Sequence, residues 1–291
     1  GLLVACSGAH SSVALAANAI DADLTLVPAD DRGRMTGAAL AATIAGLDFD
    51  DEARLFAVVA TAGTTNAGMI DDLEGIAEVC LERGVWLHVD GAYGGAGLAA
   101  PSVRGLYRGV EHADSFIVDP HKWLFAPFDC CALVYKDPRI GRAAHTQHAE
   151  YLDVLHSADG MDDFEWNPSD FAHHLSRRAR GLPLWFSLAT HGTDAYRDAI
   201  ETCLDVTRQG AKLIEEAPHL ELIMEPELSV LLFRRAGWSA ADYQVWSDRL
   251  LHEGVAFVTP TSWNHEVVLR MCVINPLTTV DDLRIIVESL A

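Results

Sequence analysis

Residues 55–61 read Leu55-Phe56-Ala57-Val58-Val59-Ala60-Thr61. The run carries no charge and is β-branched at its centre, which suits a strand covered on both faces, as in a parallel sheet. Downstream, residues 71–83 are amphipathic: Leu73, Ile76, Ala77, Val79 and Cys80 share one helical face, and Asp72 stands where a carboxylate caps the first turn. A second apolar run, 85–90, follows and ends on Asp90. Upstream, residues 2–6 and 24–27 read as strands, separated by a small-residue helix over about 11–20. A further helix covers 36–45, with Thr36 as its cap, and residues 115–118 and 131–135 read as two more strands. Alternation of this kind predicts right-handed βαβ units. Ligands of such sheets sit at the carboxyl ends of the strands. That rule singles out residues 61–68, 90–95 and 119–122, each directly after a predicted strand.

The second half has a different texture. Residues 145–176 are polar and aromatic without periodicity, and are expected to form a long segment of the kind that serves as a lid. A helical run covers 182–216. Strands are expected at 220–223, 230–233, 255–258 and 267–274, with helices at 240–252 and 279–290. Asp281 and Asp282 sit early in the last helix, where its dipole favours them. The expected organisation is a large domain over 1–190 and a small C-terminal α/β domain over 191–291.

Composition narrows the function classes. There are 42 Asp and Glu against 21 Lys and Arg, a net charge of −21. Such a chain lacks the basic surface that nucleic acid or an anionic membrane demands, so neither is expected as a partner. No apolar run approaches the roughly 20 residues of a membrane-spanning helix. The six cysteines show no C-x-x-C spacing and lie mostly in apolar runs, which predicts reduced, packed thiols and a cytoplasmic protein. Cys130 and Cys131 are expected on opposite faces of a strand. His145, His148, His173 and His174 have no spacing that converges on a metal, and no metal is expected. The chain opens at Gly1 directly into an apolar run, and an N-terminal portion is expected to precede it.

The chemistry concentrates in Asp119-Pro120-His121-Lys122-Trp123-Leu124-Phe125. Lys122 stands between apolar runs. It is either a lysine snorkelling from a turn to solvent or a desolvated amine able to form a Schiff base with an aldehyde cofactor. Asp90, in His88-Val89-Asp90-Gly91-Ala92-Tyr93-Gly94-Gly95, is either a turn carboxylate or the partner of a buried cation such as a pyridinium nitrogen.

Three ordered strings, HVDGAYGG (88–95), ADSFIVDPHKWLF (113–125) and FDC (128–130), resemble the group II pyridoxal-phosphate (PLP) dependent amino-acid decarboxylases, and among them the aromatic-L-amino-acid decarboxylases. Weaker similarity runs on through RRARGLPLWFSL and ELSVLLFR. The resemblance implies the α/β type I PLP-dependent transferase (aspartate-aminotransferase-like) fold, with a mainly parallel seven-stranded sheet. It implies pyridoxal 5'-phosphate as cofactor, an amino-acid substrate and a homodimer. Lys122 would carry the cofactor and Asp90 would pair with its ring nitrogen. His10, in Ser7-Gly8-Ala9-His10-Ser11-Ser12-Val13, would stack on the ring and assist at the reacting carbon. Thr65 would lie beside the cofactor, Ala92 would pack against the ring, and Ser115 and His121 would make contacts near the phosphate or the imine. The other half of the phosphate site lies, in the family, upstream of His10.

Two departures from the family pattern stand out. Asp119 occupies a position where the aromatic branch commonly has Asn. The stretch matching the family's mobile loop, about 161–171, contains no tyrosine, and Tyr151 is the one nearby. A missing tyrosine there keeps open aldehyde-forming oxidative chemistry on the same scaffold. Another PLP lyase and a non-catalytic chain are the remaining alternatives.

Overall fold

The structure, a computed structural model, describes residues 1–147 and 167–291. Two sheets organise it. The first has the order β2-β1-β3-β4-β5-β6, from β1 (Leu2–Cys6), β2 (Asp23–Val27), β3 (Leu55–Thr61), β4 (Trp86–Asp90), β5 (Ser115–Val118) and β6 (Ala132–Tyr135). Its first five strands are parallel, and β6 runs antiparallel to β5. The sheet among the described residues therefore has six strands, not the seven implied by the resemblance. The six apolar runs read in the first half supply all of them.

β3 is central, and its burial explains its composition. Val58 and Ala60 face the main core, while Ala57 and Val59 face a second cluster with Leu3, Ala5, Val13 and Ala17. Burying each valine stabilises the fold by about 1.5–3 kcal/mol. Helix α1 (Ser11–Ala19) covers the second face. α2 (Gly37–Ala45) and α4 (Leu73–Arg83) pack together on the other, capped by Thr36 and Asp72 as predicted. Two short helices escaped the sequence reading. α3 (Phe49–Arg54) is capped by Asp48, and α5 (Pro138–His145) is capped by Asp137 with Pro138 in its first turn. Both are too short to show a helical period.

The second sheet has the order β7-β8-β10-β9, all antiparallel: β7 (Leu220–Leu222), β8 (Val230–Arg235), β9 (Thr259–Trp263) and β10 (Glu266–Cys272). It packs with α6 (Leu182–Glu216), α7 (Ala240–His252) and α8 (Val280–Glu288). The expected strand at 255–258 is not one. Gly254, with φ 69°, ends α7, and Val255 N–H returns to Leu250 O, so this stretch is a connector. The strand begins at Thr259 because Asn264 and His265 (φ 48° and 67°) form a tight turn that sets the hairpin register Trp263↔Glu266. Cys130 and Cys131 precede β6 and are not part of it: Cys130 is buried and Cys131 exposed. α6 is continuous except at Gly192 (φ 76°, ψ 165°), next to the expected 190/191 division. Of the segment expected over 145–176, residues 148–166 lie outside the described residues, and Pro168–Phe171 form a 3-10 turn.

Candidate active site

Strand order reverses at β1, whose neighbours are β2 and β3. A crevice opens at the carboxyl ends of the strands beside such a reversal. Here it is a cavity of about 410 Å³, lined among others by His10, Thr61, Thr65, His88, Asp90, Ala92, Asp119 and Lys122. A cavity of this size is ordinary for a small-molecule site.

Each wall comes from a strand end. After β1 the chain turns, with Ala9 N–H donating to Cys6 O, and delivers His10 as the N-cap of α1. The ring accepts a hydrogen bond from Ser12 N–H at Nδ1 (3.2 Å), so His10 is an exposed cap at the cavity wall and not a core histidine. After β3, Gly63 and Thr64 N–H both donate to Met69 O and close a loop that holds Thr65 at the rim. Gly63 has φ 106°, and a Cβ there would meet Gly94 Cα at 2.7 Å, so this position takes only glycine. Asp71 anchors the loop from below, accepting from Thr61 N–H and Met35 N–H at 2.7 Å each. Burial pushes its carboxyl up to about 7, against the pull of those two donors. The sequence reading missed Asp71, which shows only as a polar residue before a helix.

Asp90 ends β4 opposite Thr61, and its Oδ1 accepts from Ala92 N–H at 3.0 Å. Beyond β5 the chain turns on Lys122 N–H to Asp119 O, and Asp119 N–H donates to Ala92 O. That turn places Lys122 at the open side of the cavity, with its Nζ 2.9 Å from Asp119 Oδ2. The lysine side chain is 40% exposed, so of its two readings the one that reaches solvent describes this structure. Trp123 is the residue those runs bury, stacked 5.3 Å from Tyr93. Asp119, the departure from the family pattern, is the lysine's counter-charge.

Five of the seven sequence-predicted residues, His10, Thr65, Asp90, Ala92 and Lys122, line this one cavity. Ser115 and His121 do not. Ser115 starts β5, two residue pairs below Asp90, and is buried with its hydroxyl bonded to Trp86 Nε1 and His88 Nδ1. His121 turns away, its Nδ1 accepting from Cys130 N–H and its ring edge-on to Phe128. Adjacent positions on a turn point to opposite sides, and Lys122 takes the cavity side. His88, two residues before Asp90 on the same strand face, also lines the cavity, as strand periodicity alone requires. Burial pushes its pKa down and the Asp90 charge opposes this, so the imidazole is held toward its neutral form.

The lining fits an aldehyde cofactor with a cationic ring. An amine and a carboxylate face one space, Ala92 leaves room beside them, and the buried Thr61 hydroxyl lines it with no hydrogen-bond partner among the described residues. A second hollow past His10 and Thr65 is lined by Arg270 of β10. No group of His, Cys, Asp or Glu among the described residues could hold a metal ion, and no described helix is long and apolar enough to cross a membrane.

Residues 2–236 match the pyridoxal-dependent decarboxylase conserved domain. An aromatic-L-amino-acid decarboxylase of Bacillus atrophaeus is 31% identical over 236 residues, 78% of this chain and 48% of its own length. A histidine decarboxylase of Rattus norvegicus is 30% identical over 277 residues, 94% of this chain and 41% of its own. Among solved structures, Oryza sativa TDC with PLP and tryptamine superposes with a TM-score of 0.85 at 26% identity, covering 99% of this chain and 61% of that one. Mouse CSAD gives 0.84 at 28% identity, covering 99% and 63%. The chain spans about half the length of these curated relatives.

Proposed function

The chain belongs to the pyridoxal-dependent decarboxylase family, and from that premise we propose that it works as a PLP-dependent decarboxylase of an L-amino acid with a ring-bearing side chain, releasing CO2 and the amine. The observation that carries the reading is the convergence of Lys122, Asp90 and His10 on one cavity. The bound cofactor supplies an electron sink for the pair left when the Cα–carboxylate bond breaks. Lys122 holds the cofactor through its amine, as its place at the open side of the cavity allows. Asp90 supplies the counter-charge for the ring nitrogen, with Ala92 N–H fixing one of its oxygens. His10, at the N-cap of α1, would face the cofactor ring, its Nε2 left to hold a proton because Nδ1 is taken by Ser12. Arg270 is the cation available to a substrate carboxylate in the adjoining hollow.

The ring-bearing class is supported by relatives of similar identity, 31% and 30%, that are named for aromatic amino acids and for histidine. We place two copies together as a homodimer; the apolar Trp185 and Phe186, 60% and 56% exposed at the start of α6, support such a contact. Six free cysteines support a reducing compartment, and the cytoplasm is the proposed location. The division into domains at 190/191 is likewise proposed, on the break of α6 at Gly192.

The test is an absorbance titration with PLP, followed by CO2 release from a panel of L-amino acids. A bound-cofactor band is expected in the wild type and absent in Lys122→Ala, with CO2 release reduced at least about a hundredfold. A band that survives Lys122→Ala sinks the reading. One sequence observation favours a second product: residues 161–171 hold no tyrosine to return a proton after CO2 leaves. Ammonia and peroxide in place of the amine would establish aldehyde formation on the same site. Residues 148–166, including Tyr151 and Phe164, lie outside the described residues.

A further inference from the structure

Beneath Asp90 lies a polar chain that the proposed chemistry does not use. Trp86, His88 and Ser115 share one face of neighbouring strands, with His88 paired in register to Ser115 and to Val59. Trp86 Nε1–H donates to Ser115 Oγ at 2.9 Å, and Ser115 Oγ lies 2.8 Å from His88 Nδ1. An indole nitrogen can only donate, so the serine oxygen is an acceptor there. The serine is buried, 5% exposed, and its own proton has His88 Nδ1 as acceptor. The opposite arrangement, with Nδ1 protonated, leaves a buried hydroxyl proton with no acceptor among the described residues, which is the costly outcome. The proton of the neutral imidazole is thereby fixed on Nε2, the nitrogen that Ser115 does not engage.

We propose that His88 is a positioning residue for Asp90: the Trp86–Ser115–His88 chain locks the imidazole as the Nε2–H tautomer, which presents a donor to the Asp90 carboxylate and holds it toward the cavity. Asp90 lies two positions on, on the same face of β4, and both side chains line the cavity. The other ionisable groups facing this space are His10 at the N-cap of α1, Tyr93 after β4, and Asp119 and Lys122 from the turn after β5. Thr61 lines it from β3. Val59 and Val13 add apolar wall to the same cavity, and burial disfavours the charged form of His88. The structure thus gives Ser115 a role different from a phosphate contact: it selects the tautomer of the histidine.

The inference rests on the decarboxylase reading for its purpose, but its first test does not. In 15N-labelled protein without cofactor, long-range 1H–15N correlations report which imidazole nitrogen is protonated, and His88 is identified by the signals lost in His88→Gln. At pH 7 a neutral Nε2–H imidazole is expected, with Ser115→Ala giving a mixture of tautomers. A charged imidazole, or one protonated at Nδ1, overturns the proposal. The second test is PLP affinity by absorbance. His88→Phe is expected to weaken binding about tenfold, the scale of one hydrogen bond to a charged group. His88→Gln, which keeps an N–H donor, is expected to stay within about threefold of wild type by the same measure. Equal affinity in a folded His88→Phe also overturns the proposal. If wild type itself shows no Lys122-dependent band, the decarboxylase reading fails instead, while the tautomer result still decides the state of His88.

Discussion

Asp119 faces competing demands at the mouth of the cavity. It holds the Lys122 ammonium at 2.9 Å and is itself only 14% exposed. On the proposed function the amine would carry the cofactor, and that carboxylate would lose its partner close to an anionic phosphate. Two unit charges about 5 Å apart interact by roughly 1–3 kcal/mol between the dielectric of water and that of a protein surface. Asp119→Asn is therefore expected to tighten PLP binding about tenfold, read from the dissociation constant in an absorbance titration. Unchanged or weaker binding means that Asp119 points away from the phosphate in the loaded protein. At this scale the candidate site was largely legible: Lys122, Asp90, His10, Thr65 and Ala92 all stand on one cavity. Ser115 and His121 were not placed, because strand register and the sense of a turn decide which way a side chain faces. The two readings of Lys122 could not be separated for a related reason: hydrophobic neighbours in sequence bury themselves, as Trp123 does, without burying the residue between them.

Among the elements, α6 carries the most unusual backbone. Gly192, at φ 76° and ψ 165°, lies in a region open essentially to glycine alone. A Cβ added there meets nothing within 4 Å, so a substitution is penalised by backbone conformation and not by packing. Gly192→Ala is expected to destabilise the fold by about 2 kcal/mol, measured as a shift in the urea midpoint with unchanged slope. His191→Ala, beside it, serves as the control and is expected to stay within about 0.5 kcal/mol. If the two variants behave alike, the break in the helix is not imposed by the surrounding structure. Long periodic elements such as α4, α6 and α7 were readable because burial repeats along them. α3 and α5 were not, since six and eight residues hold too few turns to reveal a period. The strand at Thr259–Trp263 was missed because a tight turn at Asn264-His265, and not hydrophobicity, sets its register.

For the whole molecule, charge is the dominant collective property. A net charge of −21 repels itself in any compact state. Raising the ionic strength from about 0.01 to 0.15 M shortens the Debye length from roughly 30 to 8 Å, so the melting temperature is expected to rise by several degrees. A fall would mean that screened ion pairs matter more than net repulsion. The two sheets are joined by specific polar contacts: Tyr93 hydroxyl to Ser229, Asn66 to Thr261 and Ser262, and Ile70 N–H to Glu227. These tie the loops bearing Thr65 and Ala92 to the second sheet, which carries Arg270. By itself the sequence determined the parallel α/β architecture and the family, and it singled out the amine and carboxylate that line one cavity, because strand burial and short motifs are local signals. Only the tertiary structure decided that Asp119 pairs with Lys122, that Ser115 serves His88, and that Arg270 opens onto the hollow past His10. Those relations depend on strand register and on contacts between residues far apart in the chain, which no local pattern encodes.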